Sequence, residues 1–208
     1  MNSLIYNIDQ GTGSNVQLSS DSGSAFKLGW IVYCPEIDLE INPSIKVDSI
    51  SFKDSQSLNY FNNLPDSREL LTLSIELAKD FVILDEKVSL NLSFINSDTL
   101  YLSADNSSKN IYVYDSSVFI FAPGFSYSFW NKKNQSAKAF SKIGLVKSTS
   151  DSIDSGFLFN LGVSYYHKLS RKMSLDFKVL YESLTQSGNG LDNSSKKLGV
   201  ESGIVFRF

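Results

Sequence analysis

Apolar and polar residues alternate with period two along most of the chain, the pattern of strands that differ between their two faces. In "FLFNLGVSYYH", residues 157–167, Phe157, Phe159, Leu161, Val163 and Tyr165 take one parity; Leu158, Asn160, Gly162, Ser164 and Tyr166 take the other. In "KMSLDFKVLYE", residues 172–182, Met173, Leu175, Phe177, Val179 and Tyr181 alternate with Lys172, Ser174, Asp176, Lys178, Leu180 and Glu182. Only "KLSR" separates the two segments, so they read as a hairpin. The same grammar recurs at 118–130, with Phe119, Phe121, Phe125, Tyr127 and Phe129 on one parity, and at 88–94, with Val88, Leu90, Leu92 and Phe94. It recurs again at 26–33, with Phe26, Leu28, Trp30 and Val32. Weaker strands lie near 45–53 and 139–147, and a slip of parity between Val47 and Ile50 in the first predicts a β-bulge.

One segment, "PDSRELLTLSIELAKDF", fits two templates. As a helix it would be capped by Asp66 or Ser67 and carry Leu70, Leu73, Leu77 and Phe81 on one stripe. As a strand it sets Leu71, Leu73, Ile75 and Leu77 on one face. All its neighbours have period two, so the strand is the preferred reading.

Counting back from Phe208 places eight strands, near 45–53, 69–79, 87–103, 112–130, 138–148, 155–167, 171–184 and 195–208; 24–34 is a ninth. An antiparallel barrel with both chain ends on one rim needs an even number. "NSLIYNI" or "EIDLEI", Glu36 to Ile41, would supply a tenth. The expected fold is therefore all-β, an antiparallel up-and-down transmembrane β-barrel of 8 to 10 strands, with ten slightly ahead. It forms one domain over 1–208, in which 1–23 adds an extra strand and loop. Long polar connections at 54–68, 104–110, 147–155 and 185–195 fall on one rim, and tighter turns on the other.

Composition narrows the classes. At 208 residues the chain can bury one sizeable core, and nothing in it reads as a linker between two units. Its 15 Phe and 10 Tyr favour pleated surfaces. A net charge of −3 without a Lys/Arg run leaves no footprint for nucleic acid. The one cysteine, Cys34, has no intramolecular disulfide partner. No apolar run reaches the roughly 18 residues of a transmembrane helix. The opening "MNSLIYNIDQ" lacks a basic n-region and an apolar h-region, so an exported form would have had its leader removed.

Alternation does not say which face points outward. A lipocalin turns its apolar parity in, around a ligand; a membrane barrel turns it out, against lipid. Three features favour the second. The apolar parity is almost free of charge over about ten residues, the span a tilted strand needs to cross the hydrocarbon layer. Aromatics such as Tyr165, Tyr181, Phe129, Trp130, Phe206 and Phe208 sit toward strand ends, where membrane girdles form. The polar parity of the last strands carries both signs, and Lys172, Asp176, Lys178, Glu182, Glu201 and Arg207 are the candidates for a polar network inside the lumen. In a soluble barrel those residues would be a solvated exterior.

The last strand, "GVESGIVFRF", resembles the C-terminal signal of Gram-negative outer-membrane β-barrel proteins, an alternating strand closed by Phe. Ile204, Phe206 and Phe208 are the matching positions, Gly199 stands for the small residue upstream, and Ser202 departs from the usual apolar choice. The whole chain looks like the small barrels of the OmpA-like and OmpW-like kind. The resemblance implies the outer membrane as location, porin-like architecture, contact with outer-membrane lipid, and recognition of the last strand by the barrel assembly machinery. A lipocalin would carry Gly-x-Trp on its first strand, whereas Gly29 and Trp30 are adjacent here.

Candidate chemistry is sparse. The single histidine, His167, falls beside "KLSR" and reads as exposed or interfacial. Cys34 has no adjacent histidine and precedes Pro35. Glu36, Asp38 and Glu40 alternate as on a solvated strand face, although such a face could also attract a hard cation. "DNSSKN" and "GNGLDN" lack a spaced ligand set, and "GTGSN" lacks the spacing of a phosphate loop. No catalytic residue, cofactor or metal is therefore expected. The expected role is a non-enzymatic outer-membrane structural, scaffold or surface-interaction component, alone or as a subunit with an envelope protein partner. The alternatives are a narrow channel or transporter for small or hydrophobic solutes, and a soluble lipocalin-like ligand-binding barrel.

Overall fold

The computed structural model describes residues 3–9, 15–54, 67–83, 86–105, 110–149, 155–188 and 191–208. They form β1 (Ser3–Asp9), β2 (Asn15–Cys34), β3 (Leu39–Asp54), β4 (Ser67–Ile83) and β5 (Glu86–Asp105). The second half of the chain supplies β6 (Asn110–Lys132), β7 (Gln135–Ser148), β8 (Ser155–Lys168), β9 (Met173–Gly188) and β10 (Leu191–Arg207). The all-β barrel expected from the periodicity is what forms. The ambiguous segment is a strand, β4, and "NSLIYNI" supplies β1. The "EIDLEI" stretch does not form a strand of its own: residues 35–38 turn, Asp38 has φ 51°, and β3 begins at Leu39.

Each strand from β2 to β10 pairs antiparallel with the next. Closure is different. β10 pairs with β2 in parallel, from Glu201 opposite Ala25 to Arg207 opposite Ile31. β1 enters the same seam from the other end, antiparallel to β10 from Ser3 opposite Leu198 to Asp9 opposite Asp192, and to β2 from Ile5 opposite Ser19 to Asp9 opposite Asn15. The closed wall thus has nine strands, with β1 wedged between β2 and β10 over half its height. Parity of strand number fails as a guide because β1 is too short to part the two strands completely. Where it stops, β2 and β10, which run the same way, meet directly. β1 also comes close to β5 across the interior, so the barrel is pinched there.

One rim carries the short turns at 35–38, 133–134 and 169–172, together with Phe208. The strand ends that flank the expected loops 54–68, 104–110 and 147–155 are on the opposite rim, and most residues of those loops lie outside the described ones. The expected long loop 185–195 is not a loop: β9 runs to Gly188 and β10 starts at Leu191, with Ser187 opposite Asp192 and Thr185 opposite Ser194. Its Ser, Asn and Gly residues suggested a loop because neither parity is apolar, yet a strand rising past the apolar belt has no face to bury.

The predicted bulge in β3 is absent. Val47 and Ile50 each pair one for one with β4, opposite Leu71 and Arg68. Val47 faces out and Ile50 faces in, because this part of the interior is itself apolar. Irregular register falls instead at Ser20/Ser22 in β2 and Ser128/Trp130 in β6.

The apolar parity points out of the barrel. Phe26, Leu73, Ile75, Leu90, Phe119 and Phe157 are among the many large apolar side chains exposed on the outer wall. A smaller apolar set points in: Val118, Ile120, Ala122, Val146 and Leu158 are buried together, with Ile95 and Leu184 packed on them. These residues come from the loop-side halves of β5, β6, β7, β8 and β9 and close that part of the interior.

Candidate functional site

The inward parity of the remaining strands builds a charged lumen. Lys46 on β3 bridges two carboxylates, Asp48 at 2.9 Å and Glu201 at 3.1 Å. Lys197 on β10 reaches the same Asp48 at 2.6 Å. These four groups cross the seam from the inside: β3 and β10 are separated by β2, so their ion pairs hold the wall closed independently of its backbone ladder. Further down, Lys142 on β7 pairs across the lumen with Glu76 on β4 and donates to Ser93 Oγ at 2.9 Å, while Ser93 donates to Glu76 at 3.2 Å. Asn160 donates to Glu182 at 3.1 Å. Charges so enclosed persist only when they are paired and hydrogen-bonded.

Lys178 is 3.4 Å from Asp176, with its ammonium 5.7 Å from the centre of the Phe140 ring. Phe140 faces the lumen, unlike most of the aromatics. Its ring lies over Gly162, its register partner on β8, where an added Cβ would stand 2.7 Å from Phe140 Cζ. An aromatic ring covering a glycine on the neighbouring strand is a known way of filling a curved wall.

These residues divide the interior. Toward the short-turn rim an open polar cavity of about 360 Å³ is lined by Asn42, Asp80, Asn91, Lys138, Tyr166 and Arg207, among others. Toward the loops a smaller space of about 180 Å³ lies between the apolar cluster and the Lys46, Asp48 and Glu201 network. Lys27, Ser44, Phe140, Lys142 and Lys178 line both, so they form the waist of the lumen.

Of the expected lumen residues, Asp176, Lys178, Glu182 and Glu201 face the interior and take part in this network. Arg207 is exposed at the mouth of the larger cavity. Lys172 does not belong to the lumen: it lies exposed in the turn before β9, which begins at Met173. Its parity matched, but the strand starts one residue too late to direct it inward. Lys46, Asp48, Glu76, Lys142 and Lys197 were not singled out from the sequence. For Lys46, Asp48, Glu76 and Lys142 the signal was the charged inward parity of β3, β4 and β7, legible only once the pairing of strands far apart in sequence is known; Lys197 shares the inward parity of Glu201 on β10 and could have been read beside it.

The last strand is fastened on both sides. Arg207 N donates to Lys172 O at 2.9 Å, and Phe208 N donates to Ile31 O at 3.0 Å. Ile204 and Phe206 are partly buried on the outer wall, and the Phe208 side chain is 72% exposed. On the same level of the outer wall, Trp130 stacks on Tyr165 with ring centres 6.0 Å apart, and Tyr165 on His167 at 6.4 Å. His167 thus sits in an external aromatic stack. Cys34 is a free thiol at the end of β2. Glu36, Asp38 and Glu40 do not share a strand face, and Asp38 accepts a hydrogen bond from Tyr33 Oη at 2.7 Å. Among the described residues no group of three or more His, Cys, Asp or Glu could hold a metal ion.

Fold and lumen define a small closed β-barrel with an apolar exterior and an ion-paired interior. Comparison with protein-family models and with curated proteins finds no match for the chain.

Proposed function

We propose that this chain is a non-enzymatic outer-membrane β-barrel, acting as a structural, scaffold or surface-interaction component of the envelope. One observation carries the reading: the outer wall is an apolar belt and the charges are inside. On β8 the outward residues Phe157, Phe159, Leu161, Val163 and Tyr165, and on β9 Met173, Leu175, Phe177, Val179 and Tyr181, carry no charge across nine residues each. That matches the roughly 9–11 residues with which a tilted strand crosses the hydrocarbon layer. A shallow apolar depression of about 980 Å³ on the outer wall, lined by Ile45, Leu73, Ile75, Phe94, Phe119 and Phe121, would otherwise stand in water. A soluble ligand-binding barrel would place such residues around its cargo, and here the larger internal cavity is polar.

The binding partners in this reading are outer-membrane lipid, the assembly machinery through Ile204, Phe206 and Phe208, and a protein of the envelope. The test is heat-modifiability. Purified in detergent, the barrel should run as a compact form in SDS until boiled and should aggregate when detergent is withdrawn. Monomeric solubility without detergent, with no mobility shift, would sink the proposal and favour the soluble barrel.

The two cavities that meet at the waist favour one second reading, a narrow conduit. Side chains occupy the waist, so conduction would need Phe140 or Lys178 to move. Planar-bilayer conductance that rises on Phe140→Ala would support it; silence in both proteins would count against it.

A further inference from the structure

One side of the short-turn rim carries cations alone. The turn between β6 and β7 brings Lys132 and Lys133, and the turn between β8 and β9 brings Lys168, Arg171 and Lys172, all exposed. Neither turn contains an Asp or Glu. A hydrogen bond from Lys168 N to Asn134 O, 2.8 Å long, ties the two turns together, and the Arg207 N to Lys172 O bond continues the arc to β10. Among the described residues none of these cations has a carboxylate partner; Lys132 lies 5.5 Å over the Trp130 ring. On the other side of the rim the exposed carboxylates Glu36, Asp38 and Glu86 stand among cations that are already engaged: Lys79 donates to Ile37 O at 3.2 Å, and Lys87 lies 2.5 Å from Asp80.

Next to the cations, on the outer faces of β6 and β8, is the Trp130, Tyr165 and His167 stack. Trp and Tyr collect at the level of lipid headgroups, and exposed cations there draw anionic lipid. We propose that this arc, Lys132, Lys133, Lys168, Arg171 and Lys172 beside Trp130 and Tyr165, is a binding surface for anionic phospholipid headgroups in the leaflet against the short-turn rim. The opposite side of the rim mixes both signs and its cations are already engaged by Ile37 O and Asp80, so bound anionic lipid gathers on one side of the barrel. The inference rests on the membrane reading above.

The experiment places the intact barrel in vesicles of phosphatidylcholine with a minor share of phosphatidylglycerol and measures which lipid stays bound after gentle detergent extraction, by native mass spectrometry. Wild type should retain phosphatidylglycerol in excess over its share of the vesicle. Each cation near a membrane surface is worth roughly fivefold in such partition. The triple variant Lys133→Gln, Lys168→Gln, Arg171→Gln should therefore lose at least about tenfold of the selection, and high salt should erode it in wild type. The variant's heat-modifiable band should persist, since the substitutions are on exposed turns. Equal selection by wild type and variant, the result expected of a surface built for an acidic protein, would overturn the inference while leaving the barrel reading intact. Failure of wild type to insert, with no heat-modifiable band, would overturn both.

Discussion

The loop-side and turn-side halves of the lumen are made from the same strands and filled in opposite ways. Toward the loops, Val118, Val146 and Leu158 pack as in a soluble core, and Lys46, Asp48, Lys197 and Glu201 neutralise one another against the opposite wall. Toward the turns, Asn91, Ser126, Lys138 and Tyr166 line a cavity open to the outside. The first half is the more completely filled, with its charges paired and its apolar side chains packed, although Asn160 Oδ1 and Gln186 Nε2 stay there without a hydrogen-bond partner. The second keeps a polar cavity of about 360 Å³ at the turn-side mouth. One half of the interior is thus filled by packing and ion pairs, and the other is left as a cavity.

Substitutions can break this contrast. The largest effect is expected where a charge is orphaned. Lys142→Ala leaves Glu76 enclosed without its cation and removes a donor from Ser93, and should cost about 3–5 kcal/mol. The thermal midpoint for loss of the compact band in SDS would report it, and the double variant with Glu76→Gln should recover much of the loss. Next comes Leu158→Ala in the apolar cluster, with an expected loss of about 2–4 kcal/mol from the cavity it opens. Urea unfolding in detergent would measure it. At Gly162 the waist can be sharpened: an added Cβ would collide with Val179 O and stand 2.7 Å from Phe140 Cζ, so Gly162→Ala must shift the β8–β9 ladder as well as the Phe140 ring and should cost about 1–3 kcal/mol as overpacking does. Its own readout is the fluorescence of a polar dye reporting access to the turn-side cavity. Smallest is Lys138→Ala on the wall of that cavity, expected to stay within about 0.5 kcal/mol. A loss as large as that of Leu158→Ala would mean that the turn-side half is as tightly built as the other.

Strand positions were legible in the sequence because a wall with two unlike faces leaves a period of two in every strand that forms it. Phe157 to Tyr165 and Met173 to Tyr181 announce their outward faces without help from the rest of the chain. Polarity misled where that contrast ends. Thr185 to Ser195 looked like a loop, and Lys172 like a lumen residue, because strand ends outside the apolar belt carry no pattern. Ile50 looked like a bulge because an apolar patch inside the lumen was not expected beside an apolar exterior. In the candidate site, Asp176, Lys178, Glu182 and Glu201 were readable from the parity of the last two strands. Their counterparts were not: Glu201 meets Lys46 and Glu76 meets Lys142 only after closure, and no local spacing encodes which strands face each other across a lumen.

The parallel seam also sets an order of events in time. Most of the ladder joins neighbours in the chain and can form as soon as each hairpin exists. The pairs between Ala25–Ile31 and Glu201–Arg207 join segments separated by nearly the whole polypeptide. The entropy of closing so long a loop must be met before these pairs return any stability, so they form late. Pulsed hydrogen exchange during refolding should find the amides of β5 and β6 protected before those that β2 and β10 share. The barrel therefore passes through a stage at which its sheet is complete except for one unpaired pair of edges, and the ion pairs from Lys46 and Lys197 are the contacts that can latch it from within.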